Sequence, residues 1–255
     1  MKILTYNVNG IRAALTKDLM GFLEREKADV VCFQEIKAMP EQFDATVFEP
    51  LGYYCYWYPA QKKGYSGVAI LTKIKPTQVV YGCGHELYDY EGRIMRVDFE
   101  KCAVISAYFP SGSSGDARQD IKMEFLDFFY HYIEKLKKEV PKLIICGDYN
   151  ICNYPIDIHD PVSNKNSSGF LPEERDWLTA FFKSGYTDSF RSLHPDLAHQ
   201  YTWWSFRANA RNNNKGWRID YIAIDNDLTK QLKKAVILPD DRQSDHCASY
   251  IELDL

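Results

Sequence analysis

The sequence predicts an α/β protein of four layers, with two mixed β-sheets packed face to face and helices on the outside. Three features lead there. Strand-like and helix-like stretches are interleaved along the chain, and the two halves contribute strands and helices of comparable extent. No Pro/Gly/Ser-rich linker, low-complexity segment or charge block divides them, so a single domain over residues 1–255 is expected. A composition of 45% hydrophobic and 26% charged residues fills a sizeable core and argues against disorder.

Taken in order, Lys2–Val8 alternates as a strand does. Thr16–Glu26 has helical spacing, with Leu19, Phe22 and Leu23 on one face. Asp29–Phe33 is a short apolar run, the pattern of a strand buried on both faces. Tyr53–Tyr58, Gly67–Leu71, Ile94–Phe99 and Ala103–Tyr108 are further strand candidates. Ile121–Glu139 places Phe125, Leu126, Phe129, Ile133 and Leu136 at helical spacing, and Pro141 is expected to mark the helix end. Lys142–Cys146 is another buried strand, running into Gly147. Pro172–Lys183 opens with proline and carries acids in its first turn, both favourable at a helix N-terminus. Tyr201–Phe206, Arg218–Ile224, Lys234–Leu238 and Ala248–Leu253 complete the strands.

Composition narrows the function classes. No apolar run is long enough to cross a membrane, and the segment from Met1 to Asn7 reads as a strand, not a secretory leader. The seven cysteines form no CxxC pair and have no metal-ligand spacing. Reduced thiols in a cytoplasmic protein (nucleoid-associated in a bacterium) are the simple account, and zinc is not expected. A net charge of -4 is low for a nucleic-acid binder. A chain that holds Mg²⁺ with carboxylates, however, concentrates negative charge at its centre and needs cations only around the cleft. The 18 tyrosines and 5 tryptophans exceed what a core requires, which leaves some rings for a surface.

The polar residues fall where strands end. Asn7 and Asn9 follow the first strand and Glu35 the second; Tyr108 closes another. Asp148 and Asn150 follow Cys146-Gly147, Asp220 lies beside Trp217-Arg218-Ile219, and Asp245 and His246 precede the last strand. Singly, each is ordinary turn chemistry. Together, at strand ends that converge on one edge of a layered α/β protein, they make a hard-oxygen cation site with a proton-transfer partner. Phosphodiester hydrolysis asks for these groups: an in-line water, a charge clamp on the non-bridging oxygens and help for the leaving oxygen. Asp148 can take a proton from water, Asn150 can orient that water, Glu35 can anchor a metal, and His246 with Asp220 can supply an imidazolium.

The chain resembles the exonuclease III family of apurinic/apyrimidinic endonucleases, within the endonuclease–exonuclease–phosphatase superfamily. The resemblance is carried by ordered segments from one end to the other. Among them are Asn7-Val8-Asn9-Gly10, Gln34-Glu35-Ile36-Lys37, Tyr65-Ser66-Gly67, Tyr108-Phe109-Pro110 and Gly147-Asp148-Tyr149-Asn150. Gly169-Phe170-Leu171-Pro172-Glu173-Glu174-Arg175, Tyr201-Thr202-Trp203-Trp204, Gly216-Trp217-Arg218-Ile219-Asp220-Tyr221 and Ser244-Asp245-His246 follow. It implies a DNase I-like sandwich, Mg²⁺ (with Mn²⁺ as a substitute) and double-stranded DNA carrying abasic sites or 3′ ends. It also implies roles. Glu35 would be the principal metal ligand, supported by Asn7 and Asn9, with Asp148, Asn150, Asp245 and His246 as further candidates. Tyr108, Asp148, Asn150, Asp220 and His246 would be catalytic. Arg93 and Asn164 would contact DNA backbone and Trp203 would line the abasic-sugar pocket. The stretch from Gly64 to Gly67, together with Arg207, Arg218 and 211–215, would add backbone or wedge contacts.

The same fold hosts general deoxyribonucleases, inositol polyphosphate phosphatases and sphingomyelinases, so fold alone does not choose the substrate. The Gly-Phe-Leu-Pro-Glu-Glu-Arg and Trp-Arg-Ile-Asp-Tyr segments favour the DNA-repair branch. A non-catalytic relative would have lost one of Glu35, Asp148, Asn150, Asp220 or His246, and all five are present. The segment Ser111–Asp116 departs from relatives in a loop that varies among them. A monomer is expected.

Overall fold

The computed structural model describes residues 1–140 and 142–255. In chain order the elements are β1 (Lys2–Asn7), α1 (Ile11–Leu15), α2 (Leu19–Glu26), β2 (Val30–Gln34), β3 (Tyr54–Tyr58), β4 (Val68–Thr72) and β5 (Gln78–Tyr81). Then come α3 (Glu86–Tyr90), β6 (Ile94–Asp98), β7 (Cys102–Tyr108), α4 (Asp116–Leu136), β8 (Lys142–Asp148) and α5 (Pro172–Lys183). The chain closes with β9 (Tyr186–Asp188), α6 (Ser189–Leu193), β10 (Asp220–Asp225), β11 (Leu232–Leu238) and β12 (Ala248–Leu253).

These strands make two six-stranded sheets, ordered β11-β12-β1-β2-β4-β3 and β5-β6-β7-β8-β10-β9. Each has one parallel pair at its centre, β1 with β2 and β7 with β8, and antiparallel pairs outside it. A parallel pair needs a crossover, and α1–α2 and α4 supply the two. The expected face-to-face sheets with outer helices are therefore observed. Sheet membership does not follow the halves of the chain, because β5–β7 join the second sheet and β11–β12 return to the first.

Strand periodicity separates the layers. Ile3, Val30, Cys32 and Ile70 of one sheet and Val104, Ile144, Cys146 and Ile222 of the other fill the space between the sheets. Their sequence neighbours face outward. Leu4, Val31, Phe33 and Leu71 meet Phe22 and Leu23 of α2, while Ala103, Ile105, Leu143 and Ile145 meet Phe125, Phe129 and Phe181 of α4 and α5. Both faces of the central strands are thus buried, which is why they read as unbroken apolar runs.

Several boundaries differ from expectation. The helix expected from Thr16 starts at Leu19, because Asp18 caps it by accepting from Gly21 N at 3.2 Å. Helix α4 begins at Asp116 and ends at Leu136; Pro141 lies outside the described residues. Tyr201–Phe206 is not a strand. Trp203 makes only isolated bridges to Trp217 and His246, and Thr202 Oγ1 accepts from Ile219 N and Asp220 N where a ladder would continue. Short elements absent from the sequence reading are α1, α3, α6, β5 and β9. No helix among the described residues is long and apolar enough to cross a membrane, and all seven cysteines are free.

Arg218, expected at the DNA surface, is fully buried. Its guanidinium donates to Asp157 at 2.8 and 3.0 Å and to Asp188 at 2.7 Å, while Arg191 reaches Asp157 at 2.6 Å. This cluster ties the segment after β8 to β9, α6 and the start of β10. Gly67 is likewise structural. At φ +86° it sits where a Cβ would lie 2.7 Å from Ile36 Cγ1, so it packs the loop below the cleft and has no free surface for DNA.

Burial alone would raise the Asp157 pKa, but Arg218 and Arg191 outweigh it and hold the carboxyl below its usual range. Its stabilisation is therefore present above the unfolded Asp pKa of about 3.9 and is lost only as pH falls through the lower folded value. Asp157→Ala leaves the buried Arg191 without a carboxylate and Arg218 with Asp188 alone, and should cost about 3–5 kcal/mol, read from urea unfolding at pH 7. A loss below about 1 kcal/mol would show that the cluster is hydrated after all.

Candidate active site

The inward-facing rows of the two sheets change from apolar to polar as they approach one edge. After Ile3 come Thr5 and Asn7, after Cys32 comes Gln34, after Val104 come Ser106 and Tyr108, and after Cys146 comes Asp148. Thr5 Oγ1 donates to Gln34 Oε1 at 3.2 Å, and Gln34 Nε2 donates to Ser106 Oγ at 3.0 Å, so this polar layer is internally paired across the sheets. Register then aligns the last members. Asp148 is paired with Tyr108 on one side and Asp220 on the other. From the opposite sheet Asn7 Nδ2 donates to Asp148 Oδ2 at 2.8 Å.

Three residues just past strand ends take left-handed backbone conformations: Asn9 (φ 45°), Glu35 (φ 52°) and Asn150 (φ 53°). Asparagine tolerates this region; glutamate is a true exception and costs roughly 1–3 kcal/mol. Backbone bonds hold Glu35 there, with Gly10 N donating to Glu35 O at 2.7 Å and Ile36 N to Gly67 O at 3.2 Å. Each reversal throws a side chain into a cleft of about 800 Å³. Glu35 accepts from the Tyr108 hydroxyl and pairs with Lys37 at 2.6 Å. Asn9 Nδ2 donates to Asp245 Oδ1 at 2.9 Å, and Trp203 Nε1 donates to Asp245 Oδ2 at 3.0 Å. Asn150 N donates to Asp148 Oδ1 at 2.8 Å.

His246 lies between two acids. Its Nδ1–H faces Asp220 Oδ2 at 2.9 Å and its Nε2 lies 3.8 Å from Asp148 Oδ2. Burial pulls the imidazole pKa down, but Asp220 first and then Asp148 and Asp245 overcome it and push it up to about 10. Asp148 moves the same way for a different reason. Burial, then repulsion by Asp220 and Glu35, raises it to about 8, against the opposing pull of His246. Burial also raises Asp245, yet His246, Asn9 and Trp203 leave it below its ordinary value. The Tyr108 phenol is driven well up by burial and by Glu35, so it is a hydrogen donor at neutral pH.

The structure brings Asn9, Glu35, Tyr108, Asp148, Asn150, Asp245, His246 and Trp203 to the cleft wall, with Asn7 and Asp220 directly behind. Arg93 is not at the surface. It is 1% exposed, donates to Glu91 at 2.6 Å and to the Tyr108 carbonyl at 2.9 Å, and therefore braces Tyr108 and does not meet backbone phosphate. Asn164 spends its amide on the His159 and Asp160 carbonyls at 3.1 and 3.0 Å. Arg207 is exposed on a loop beside Phe206, which is 78% exposed. Arg211 is turned inward, donating to Ser244 O at 2.7 Å and Pro239 O at 3.0 Å.

The sequence reading missed Lys37, Trp217 and Ile219 as site residues, although all three lie inside the quoted motifs. Trp217 stands edge-on to Trp203 at 6.0 Å and both line the cleft with Ile219 and Leu171. The opposite wall, with Ser111, Ser113, Gln119, Ser167 and Ser168, is hydroxyl- and amide-rich and carries no apolar signature that a sequence would show.

The donor set fits a small hard cation. Carboxylate and amide oxygens from separate loops, Glu35 Oε2 and Asn9 Oδ1, already converge on one positive group, the Lys37 ammonium, at 2.6 Å each. Among the described residues Asp148, Asp220 and His246 also bring ligand atoms within 4.8 Å of one another. Oxygen donors without thiolates suit Mg²⁺ or Mn²⁺ better than zinc. A cleft of this composition, at the joined edge of two sheets flanked by helices, defines a metal-dependent phosphoester hydrolase. Residues 4–246 match the endonuclease/exonuclease/phosphatase family, and the chain belongs to it. It is 42% identical over 248 residues to the exodeoxyribonuclease of Bacillus subtilis (strain 168), covering 97% of each chain. It is 38% identical to the DNA repair nuclease APEX1 of Danio rerio, covering 97% of this chain and 80% of that one. Among solved structures, an AP endonuclease from Archaeoglobus fulgidus superposes with a TM-score of 0.92 at 29% identity, covering 100% of both chains. A 3′-5′ exonuclease from Neisseria meningitidis gives 0.93 at 27%, again over 100% of both.

Because the folded pKa of His246 lies above the unfolded value, its contribution to stability is present below about pH 6.5 and is lost as pH rises through about 10. The imidazole should therefore stay charged from pH 5 to 8 in an NMR titration, whereas Asp220→Asn brings its titration down into that window. A parent His246 that titrates near pH 6.5 would remove the imidazolium from the site.

Proposed function

We propose that this chain is a Mg²⁺-dependent nuclease of DNA base excision repair. It incises duplex DNA on the 5′ side of abasic sites and also acts as a 3′→5′ exodeoxyribonuclease that trims 3′ ends. One observation carries the reading: the phosphoester-hydrolysing groups and the apolar wall of Trp203, Trp217 and Ile219 face the same cleft. A base-free deoxyribose is small and partly apolar, and rotating it out of the duplex costs little because no base is unstacked. A normal nucleotide would have to bring its base against that wall. The names of the relatives, exodeoxyribonuclease and DNA repair nuclease, point the same way.

The site residues divide the work. Mg²⁺, for which Mn²⁺ can substitute, would be held chiefly by Glu35 with Asn7, Asn9 and Asp245 in support, and would neutralise charge on the scissile phosphate. Asp148 takes the proton from the attacking water in its ionised form, which the His246 imidazolium favours; burial and the neighbouring acids, which push its pKa up, make that ionised form the stronger base. Asn7 and the Asn150 backbone fix its two oxygens, so the base is aimed before substrate arrives. Asn150 orients the water or phosphate. The His246 imidazolium, held by Asp220, binds a non-bridging oxygen, and as a cation it serves there better than as a metal ligand. Tyr108 donates its hydroxyl toward the phosphate or leaving oxygen. Water oxygen bonds to phosphorus, the P–O3′ bond breaks, and the products are a 3′-hydroxyl and a 5′-phosphate. On this reading Arg207 and the exposed Phe206 meet the duplex beside the cleft. The chain acts as one domain, as a monomer, in the cytoplasm with its DNA.

Asp148→Asn should lower kcat by on the order of 10² or more while DNA binding persists, since a general base contributes on this scale; near-normal turnover would take Asp148 out of the mechanism. Trp203→Ala should weaken preference for the abasic sugar more than it weakens general phosphodiester cleavage, and equal losses on both substrates would count against the pocket. An end-labelled duplex with one tetrahydrofuran site should be cut immediately 5′ of the analogue with Mg²⁺ and left intact with EDTA. Equal cutting of an undamaged duplex would instead indicate a general nuclease, and cutting of neither a phosphatase of the same fold.

A further inference from the structure

Helix α4 buries a stripe formed by Phe125, Leu126, Phe129, Ile133 and Leu136. One turn earlier the same stripe contains Lys122, whose side chain is 0% exposed. Its ammonium donates to Glu174 Oε1 at 2.5 Å and to the backbone carbonyl of Asn150 at 2.9 Å. Glu174, also 0% exposed, accepts from Gly169 N at 2.6 Å and Leu171 N at 3.0 Å, capping α5 and fixing the loop that lines the cleft. Gln119 joins the same carboxylate at 2.9 Å and accepts from Ser168 Oγ at 2.7 Å.

A buried ion pair in an otherwise apolar stripe is poorly explained by stability. Removing two charges from water costs several kcal/mol each, and apolar replacement of such pairs is often neutral or stabilising. What an apolar side chain cannot do is donate to Asn150 O. That carbonyl belongs to the left-handed residue whose N–H bonds Asp148 Oδ1 and whose amide bonds Phe109 O at 3.0 Å. The turn is left-handed, and among the described residues Lys122 is the α4 side chain that hydrogen-bonds to it.

We propose that Lys122 is a positioning residue for the hydrolytic centre. Fixed by Glu174, it holds the Asn150 carbonyl and thereby sets the turn that aims Asn150 and the Asp148 carboxylate. The pair also links this turn to the Ser168–Gly169 wall, so catalytic loop and substrate wall share one buried anchor. The inference rests on the nuclease reading above.

Lys122→Met leaves Glu174 as an unpaired buried charge and can fail to fold for that reason alone. The decisive variant is therefore Lys122→Met with Glu174→Gln, which removes both charges and keeps the acceptor for Gly169 N and Leu171 N. It should melt close to the parent. Its single-turnover rate on the tetrahydrofuran duplex should fall by about 10²-fold, the scale of a misaligned reacting group, while the Kd for DNA stays within about threefold. Amide exchange at Asn150 should accelerate by about tenfold as the turn loosens. Lys122→Arg, which keeps a donor and a counter-charge, should recover most of the rate. A folded double variant that cleaves within about threefold of the parent would overturn the proposal. If the parent itself does not cut the duplex, the nuclease reading fails, and the exchange measurement then decides: unchanged protection of Asn150 overturns the positioning role.

Discussion

Asn7 belongs to one sheet and Asp148 to the other, and the 2.8 Å hydrogen bond between them is the constraint on which the site depends. Both are the last inward-facing residues of central strands. An inward row that stayed apolar to its end would close the sandwich with a dry seam. Here each row turns polar over its last one or two inward positions, and the seam opens into a cleft. The position of each acid is then a matter of strand register, because a slip of one residue would turn it outward against the helices. Tyr108, Asp148 and Asp220 are fixed relative to one another by ladders of backbone bonds and not by loop conformation.

This frame explains how opposite protonation tendencies coexist within a few ångströms. Asp148 is buried beside two other acids, which makes it basic, and His246 is buried among the same acids, which keeps it charged. Neither group could have its character in water. The rigid backbone holds the repelling carboxylates together, and Asn7, Lys37 and the Asn150 amide offset part of that repulsion. The left-handed turn at Glu35 is a cost of the arrangement, carried by backbone bonds to the loops at Gly10 and Gly67, and the turn at Asn150 rests on the buried Lys122 ammonium.

Much of this was legible in the sequence, for a physical reason. A strand buried on both faces is an apolar run, so a polar residue at either end of it is conspicuous; Asn7, Glu35, Tyr108 and Asp148 were found at the far ends of such runs, and Asp220 and His246 at the near ends. Elements of three to five residues, such as α3, α6 and β9, are too short for periodicity to register. Buried charge was the systematic blind spot. Arg93 and Arg218 carry the charge that DNA would attract, yet Arg93 turns inward onto its near neighbour Glu91 and Arg218 faces Asp157, supplied from elsewhere in the fold. Lys122 gave the converse signal, a cation at a position where the helix stripe calls for an apolar side chain. Only tertiary contacts decide which way such residues turn. Sheet membership was equally hidden, since β1 pairs with β12 across nearly the whole chain.

That last pairing bears on how the molecule is made. During synthesis β1 emerges before its partners and gains its parallel neighbour β2 early, but its other edge stays open until β12 leaves the ribosome. His246 and Asp245 precede β12 directly, so the strand that closes the first sheet also delivers the last pieces of the cleft. Until β12 is made, nascent chains therefore carry an exposed apolar strand edge and an incomplete centre, a state in which a chaperone has something to hold. Activity and the burial of that edge arrive in one event.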